Sequence, residues 1–356
     1  MLDLNNSKYG YNLILVPKKT VAEEKIVDYI RNLPGAQDDE DILQLDGAKV
    51  LNSVEAQHGL LVERARGIYS FSHLTFQEYF TAKQITQPEA QLHDELGKLT
   101  VHITEKRYRD IFLLTVEMLP KADDLLMLMK QHIDTLLVHE LDLQTLLQWV
   151  YRKRESVNIP YKAGAIRAFY LVLDLALNLN LDLNLDRDCD LTLALALDPN
   201  LDLDLELYLY LYLDRYRPFD LNLDFHLYLA CILAFDRDLA LDRALDRAFS
   251  PELKLNLKSL KNQLPNIQIH SIWKQWCKTE GPSWMETLRS VMMKYRNIGH
   301  EWKFTDAQKA KLQQYYDANK LLVECLNSDC YVTKATRQEI EDTLLLPMSE
   351  IEKRKG

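Results

Sequence analysis

GLLVERARGIYSFSHLTFQEYFTAKQI, residues 59–85, is the stretch from which the rest of the fold can be read. Leu60, Leu61 and Val62 make a short apolar run that breaks at the charged Glu63–Arg64–Ala65–Arg66–Gly67. Ile68, Tyr69, Ser70, Phe71 and Ser72 then alternate as a half-buried strand does. The pattern predicts a β-hairpin, with Gly67 free to take the positive φ of a tight turn. Thr75, with Glu78 three residues on, has the spacing of a capping box, so a helix is expected to start there. Phe76, Tyr79, Phe80, Lys83 and Gln84 follow at helical spacing, and the three aromatic residues are expected to hold that helix in place. A helix, a two-stranded wing and a second helix in this order predict a winged-helix module.

On the N-terminal side, residues 1–19 read as a ragged segment, with Tyr9–Gly10–Tyr11 and Pro17 unsuited to a helix. Thr20 opens an amphipathic run carrying Val21, Ile26, Tyr29 and Ile30, which Leu33–Pro34–Gly35 ends. Asp46 then caps a helix leading through Val50, Leu51 and Val54 to Gly59. Residues 20–87 are thus expected to form a partial winged-helix domain with a small β-wing.

On the C-terminal side, residues 88–164 read as a helical repeat region. Helices are expected over Tyr108–Leu119, from Asp123 or Asp124 through Leu125, Leu128, Met129, Ile133 and Leu136, and over Leu141–Arg154. Their short connections favour antiparallel neighbours in a solenoid or bundle. A fourth is expected from about Ala165.

Residues 165–257 contain a Leu/Asp-rich low-complexity region with leucine at every second position for long runs, as in LDLALNLNLDLNLD. Periodicity alone gives strand, because alternation puts the leucines on one face. Composition gives helix: between 171 and 250 only Val172, Thr192 and Ile232 are β-branched, and no glycine occurs between Gly164 and Gly281. Helix is the reading adopted here, buried on several sides.

Residues 258–356 are expected to form a C-terminal helical cap domain. Trp273, Trp276, Trp284 and Trp302 are four of the five tryptophans, and packed core explains them better than a ligand cage. A helix over 283–296 should end in a cap at Asn297–Gly299. Thr305 with Gln308 spells a capping box, and Thr336 with Glu339 another, the last helix stopping before Pro347. The fold class that emerges is mainly α.

Composition limits the function. With 43 basic and 53 acidic residues the net charge is −10, which argues against a broadly basic nucleic-acid surface. The five cysteines share no ligand spacing and read as reduced thiols of a cytoplasmic protein. No apolar run of about 18 residues predicts a membrane span, and none has the form of a signal peptide.

Two stretches resemble a known family. Phe71–Ser72–His73–Leu74–Thr75–Phe76–Gln77–Glu78–Tyr79–Phe80–Thr81–Ala82 is similar to the F-x-H-x-x-x-Q-E-[YF] signature that closes the winged-helix part of NACHT proteins, the signal-transducing STAND ATPases of bacterial antiviral systems and animal inflammasome receptors. Tyr295–Arg296–Asn297–Ile298–Gly299–His300–Glu301–Trp302, with Tyr315–Lys320 and Thr343–Pro347, resembles the helical domain that follows NACHT modules in cyanobacterial proteins. The resemblance implies that His73 contacts the β-phosphate of bound ADP and holds a closed, inactive state. Without the rest of the nucleotide site, His73 has a plainer role open to it, ending the wing strand and hydrogen-bonding the next helix.

No G-x-x-x-x-G-K-[ST] occurs: Gly97–Lys98 has Leu92 where the first glycine would stand and Leu99 after the lysine. Such a loop is what cradles the β- and γ-phosphates, so the chain is expected to hydrolyse no ATP. ADP or ATP would be a cofactor only when joined to a NACHT core. Asp174 ends an apolar run that imitates a Walker B strand but belongs to the repeat. His300, between Gly299 and Glu301, is expected to cap a loop rather than carry acid–base chemistry. The histidines include no H-x-x-x-H or H-E-x-x-H pair, so no metal site is expected. The Asp-rich repeat lacks the spacing of a calcium loop. Arg64 and Arg66 on the wing could touch nucleic acid, but the resemblance implies an internal switch element, and the overall acidity agrees, so no nucleic-acid partner is expected. Expected partners are proteins: a NACHT ATPase core, copies of the chain itself and a sensed target. The function implied is the regulatory and sensor part of a NACHT-type signalling protein, in prokaryotic antiviral defence. The alternative is a stand-alone helical scaffold or truncated gene product that senses no nucleotide.

Overall fold

The computed structural model describes residues 49–50, 53–56, 59–65, 68–87, 91–156, 161–176, 192–198, 251–265 and 270–355. The helix expected over 20–33, the Asp46 cap, the Gly67 turn and most of the Leu/Asp repeat lie outside them. The protein is mainly helical with one two-stranded antiparallel sheet, and the chain divides into two compact units.

The first unit includes the hairpin. Strands β1 (Leu61–Ala65) and β2 (Ile68–Phe71) pair with Leu61 opposite Phe71 and Val62 opposite Ser70. A register shift between Glu63 and Ala65 marks a bulge in β1, a device that bends and further twists a strand. Helix α1 (Leu74–Thr86) follows and packs on β2. It buries Glu78, Thr81, Ala82 and Ile85. This differs from the expectation in two ways. The helix is capped at His73, so Thr75 lies inside the first turn and makes no capping box with Glu78. Tyr79 and Phe80 are exposed; Phe80 reaches back to stack on Phe71 at 5.9 Å instead of entering a core.

The second unit holds α2 (Leu92–Thr100), a 3-10 turn at Lys106–Tyr108, and the helices from Asp123 onward. Between the units in sequence, α3 (Arg109–Met118) belongs almost wholly to the first. The second unit continues with α4 (Asp123–Leu136), α5 (Leu141–Glu155), α6 (Ala163–Ala176) and the short α7 (Thr192–Leu197). Its C-terminal half holds α8 (Pro251–Asn262), α9 (His270–Thr279), α10 (Gly281–Arg296), α11 (Asp306–Asn327), α12 (Lys334–Thr343) and α13 (Met348–Lys355). The described parts of the repeat, 171–176 and 192–197, are helical.

The halves interlock. Helix α11 packs on α4 and α7, and α12 packs on α4 and α6. Leu125, Met129 and Ile133 of α4 and Leu312, Tyr315 and Leu322 of α11 are all buried. Each such aliphatic side chain contributes roughly 1.5–3 kcal/mol by leaving water. Where α6 starts, the approach to α12 is closer than a side chain allows: a Cβ on Gly164 would stand 2.7 Å from the Glu341 carbonyl oxygen. Arg167, one turn on, is 2 % exposed. Its guanidinium donates to the carbonyls of Leu344 at 2.7 Å and Asp342 at 2.6 Å, satisfying the end of α12.

Caps set the remaining boundaries. Thr305 and Gln308 form the expected capping box at the start of α11. The cap of α12 is Thr333 rather than Thr336: its hydroxyl accepts the Thr336 N–H. The Thr336 hydroxyl instead donates to Asp123 at 2.5 Å, and the Thr333 hydroxyl donates to the same carboxylate. Burial alone would raise the Asp123 carboxyl. The Thr333 and Thr336 donors and Lys121 outweigh burial and hold it below the usual carboxylate range. After Pro347 the chain resumes as α13, a helix the sequence reading did not include.

Candidate functional site

The wing presents His73. Ser72 N–H donates to the Leu60 carbonyl at 2.9 Å, holding the chain beyond β2 to the strand beside it. His73 is then extended (φ −129°, ψ 144°), and its carbonyl accepts the Phe76 N–H at 3.2 Å. The imidazole makes no capping hydrogen bond; it lies edge-on to Phe76 at 5.9 Å, exposed. The plainer role, a side chain bonded to the helix start, is therefore not what the ring does here. Leu74, 63 % exposed, and the exposed Tyr79 and Phe80 share its helix. Beneath them Glu78 is buried, and burial, with the Asp110 charge adding, pushes its carboxyl up. The side chains of Arg64 and Arg66 lie outside the described residues.

A second constellation surrounds the loop after α10. Asn297 ends that helix in the left-handed conformation (φ 53°, ψ 49°), as its residue type allows, and Gly299 follows at φ 97°. The loop is held by side chains from α5 and α6. Asp174, fully buried near the end of α6, accepts Gly299 N–H at 2.5 Å and His300 N–H at 3.2 Å on Oδ1, with His300 Nδ1 at 3.1 Å. Its Oδ2 accepts the Trp302 indole N–H at 2.6 Å. From α5, the Trp149 indole donates to the Asn297 carbonyl at 3.2 Å and Lys153 Nζ donates to the Arg296 carbonyl. His300 is edge-on to Trp149 and tilted against Trp302, which stacks on Phe304.

This arrangement fixes a loop and offers no reacting pair. Asp174 stands on a helix with both oxygens engaged, so it is no Walker B carboxylate. His300 ends up in the loop-fixing role its neighbours in sequence implied. Gly97–Lys98 sits inside α2, with Lys98 bonded to Glu95. Trp284 donates to the Leu260 carbonyl at 3.0 Å and meets Trp276 edge-on, as packed core. Among the described residues no group of three His, Cys, Asp or Glu side chains is arranged to hold a metal ion, and no helix is long and apolar enough to cross a membrane. Sequence reasoning missed Asp174 and Arg167 as structural anchors. The signal was available: each is a lone charge inside AIRAFYLVLDLA, an otherwise apolar run, where a charge must find buried partners.

Both constellations fall in matched regions. Residues 17–85 match the winged helix-turn-helix domain C-terminal to NACHT, and residues 253–347 match NACHT C-terminal helical domain 2. The chain thus carries two stretches similar to domains that stand C-terminal to NACHT. No curated protein and no solved structure shows significant similarity to it. The NACHT winged-helix match ends within α1 at Ile85, so His73 belongs to it. The helical-domain match starts in α8 and ends at Pro347, just past the carbonyls that Arg167 holds. Asp174, Lys153 and Trp149, which fix the loop inside that NACHT domain, come from helices outside either match.

Proposed function

We propose that this chain is the regulatory and sensor part of a NACHT-type signalling protein, acting in the cytoplasm in prokaryotic antiviral defence. The observation that carries this reading is the pairing, in one chain, of the two domains that follow a NACHT module. The sequence contains no P-loop of its own, so nucleotide comes to it on a NACHT ATPase core. His73 supplies the contact: an exposed imidazole at the start of α1, making no cap hydrogen bond, can donate to a phosphate oxygen. ADP held this way keeps the closed state. Recognition of a target by the C-terminal helices releases it and permits self-assembly.

The test supplies a NACHT core from a relative as a second chain and measures ADP affinity. His73→Ala weakens ADP binding by about 1.5–3 kcal/mol, the scale of a hydrogen bond to a charged group, and leaves the nucleotide-free melting temperature nearly unchanged. Unchanged ADP affinity in the variant would leave the chain as a helical scaffold without nucleotide sensing.

A further inference from the structure

Lysines with partners in the second unit are mostly paired with carboxylates. Lys130 bonds Asp134, Lys162 bonds Glu341, Lys311 bonds Glu140 and Lys353 bonds Glu350. Lys153 differs. Its Nζ donates to the Arg296 main-chain carbonyl and lies 5.4 Å over the Tyr170 ring, with no carboxylate at ion-pair distance among the described residues. The side chain is half-buried. Burial, then the neighbouring Arg296 guanidinium, lower the ammonium to about 8, with Asp174 opposing from α6. At pH 7.5 about a quarter of such amines are neutral, against about a thousandth of an ordinary lysine. Lower basicity weakens the nucleophile, and the net advantage is roughly tenfold.

We propose that Lys153 is an acylation site, the amine through which a small acyl phosphate modifies this chain, and that acylation frees the loop 296–302 from α5. The neutral amine attacks the acyl carbonyl carbon, a C–N bond forms, the C–O bond to phosphate breaks and inorganic phosphate leaves. The ammonium proton goes to solvent. An amide N–H, uncharged and carrying an acyl group, then replaces the ammonium that held the Arg296 carbonyl. This site is independent of nucleotide and of His73.

The experiment treats the full chain briefly with acetyl phosphate at pH 7.5, folded and in urea, and quantifies acetylation of each lysine by mass spectrometry. In the folded chain Lys153 is acetylated about tenfold faster than Lys353, and urea removes the difference. Its rate rises with a midpoint near pH 8. Hydrogen exchange of peptides spanning 296–302 then quickens in the acetylated fraction, while Lys153→Arg keeps slow exchange and takes no label. A folded-state rate at or below that of Lys353 overturns the site. Unchanged exchange in the acetylated fraction overturns the release of the loop.

Discussion

Replacing Asp174 with alanine removes one acceptor pair from four donors. Gly299 N–H is buried and close at 2.5 Å, and the Trp302 indole lies at 2.6 Å. Gly299 N–H loses its partner in a buried place and the Trp302 indole in a part-buried one, at about 1–3 kcal/mol each with the indole at the lower end. His300 contributes less, because its side chain is 24 % exposed and its nitrogens can recover water. Asp174→Ala is therefore expected to cost about 3–5 kcal/mol, in line with breaking a buried charged network. Asp174→Asn keeps an oxygen for Gly299 but turns an NH2 toward one of the donors, and should cost about half as much. Because the chain has two units, a single unfolding transition is not assumed. The assay is urea denaturation combined with hydrogen exchange on peptides covering 165–176 and 296–304. Protection should fall together in both peptides while the hairpin and α1 keep theirs. If Asp174→Ala shifts stability by less than about 0.5 kcal/mol, the level of ordinary surface substitutions, the carboxylate does not hold the loop.

Gly164→Ala should lower the urea midpoint, since its Cβ would stand 2.7 Å from the Glu341 carbonyl and α6 and α12 must part. The cost is about 1–3 kcal/mol, partly offset by better helix propensity, and an equal or higher midpoint would contradict the close approach. Asp123 carries a pH dependence of definite sign. Its folded carboxyl lies below the ordinary value, so its stabilisation is complete above the unfolded value of about 3.9 and is lost as pH falls through the folded one. Asp123→Asn should flatten that acid limb of the stability curve, and an unaltered limb would show that another group is responsible.

Local chemistry was legible in the sequence. The Thr305–Gln308 box and the left-handed Asn297 are each written in residues three or four apart, and the structure has both. The hairpin was readable for the same reason. What misled was spacing that the tertiary structure overrides. Thr336 and Glu339 have capping-box spacing, yet the Thr336 hydroxyl is claimed by Asp123, 213 residues away in sequence. Thr75 and Glu78 have it too, yet the helix is capped at His73 and Glu78 is buried. Phe76, Tyr79 and Phe80 are at helical spacing and were expected to hold the helix, yet Tyr79 and Phe80 stand on its exposed side. The His73 motif was legible, but its lack of a cap bond was not, because donors and acceptors near a helix start compete in three dimensions.

The long reach of the anchors bears on how the chain emerges from the ribosome. Arg167 waits for carbonyls 177 residues downstream, and Asp174 for amides 125 residues downstream. At ordinary elongation rates the Arg167 wait is about 10–35 s. For most of that interval, until residue 306 is reached, α4 and α6 have been made but none of their partners α11 and α12, so Leu125, Met129, Ile133 and Phe169 lack the cover those helices give. The Leu/Asp repeat is translated within the same interval. The second unit therefore completes its fold only once α11 and α12 have been made. Ribosome-stalled chains ending before residue 306 are expected to aggregate unless a holding chaperone covers these side chains.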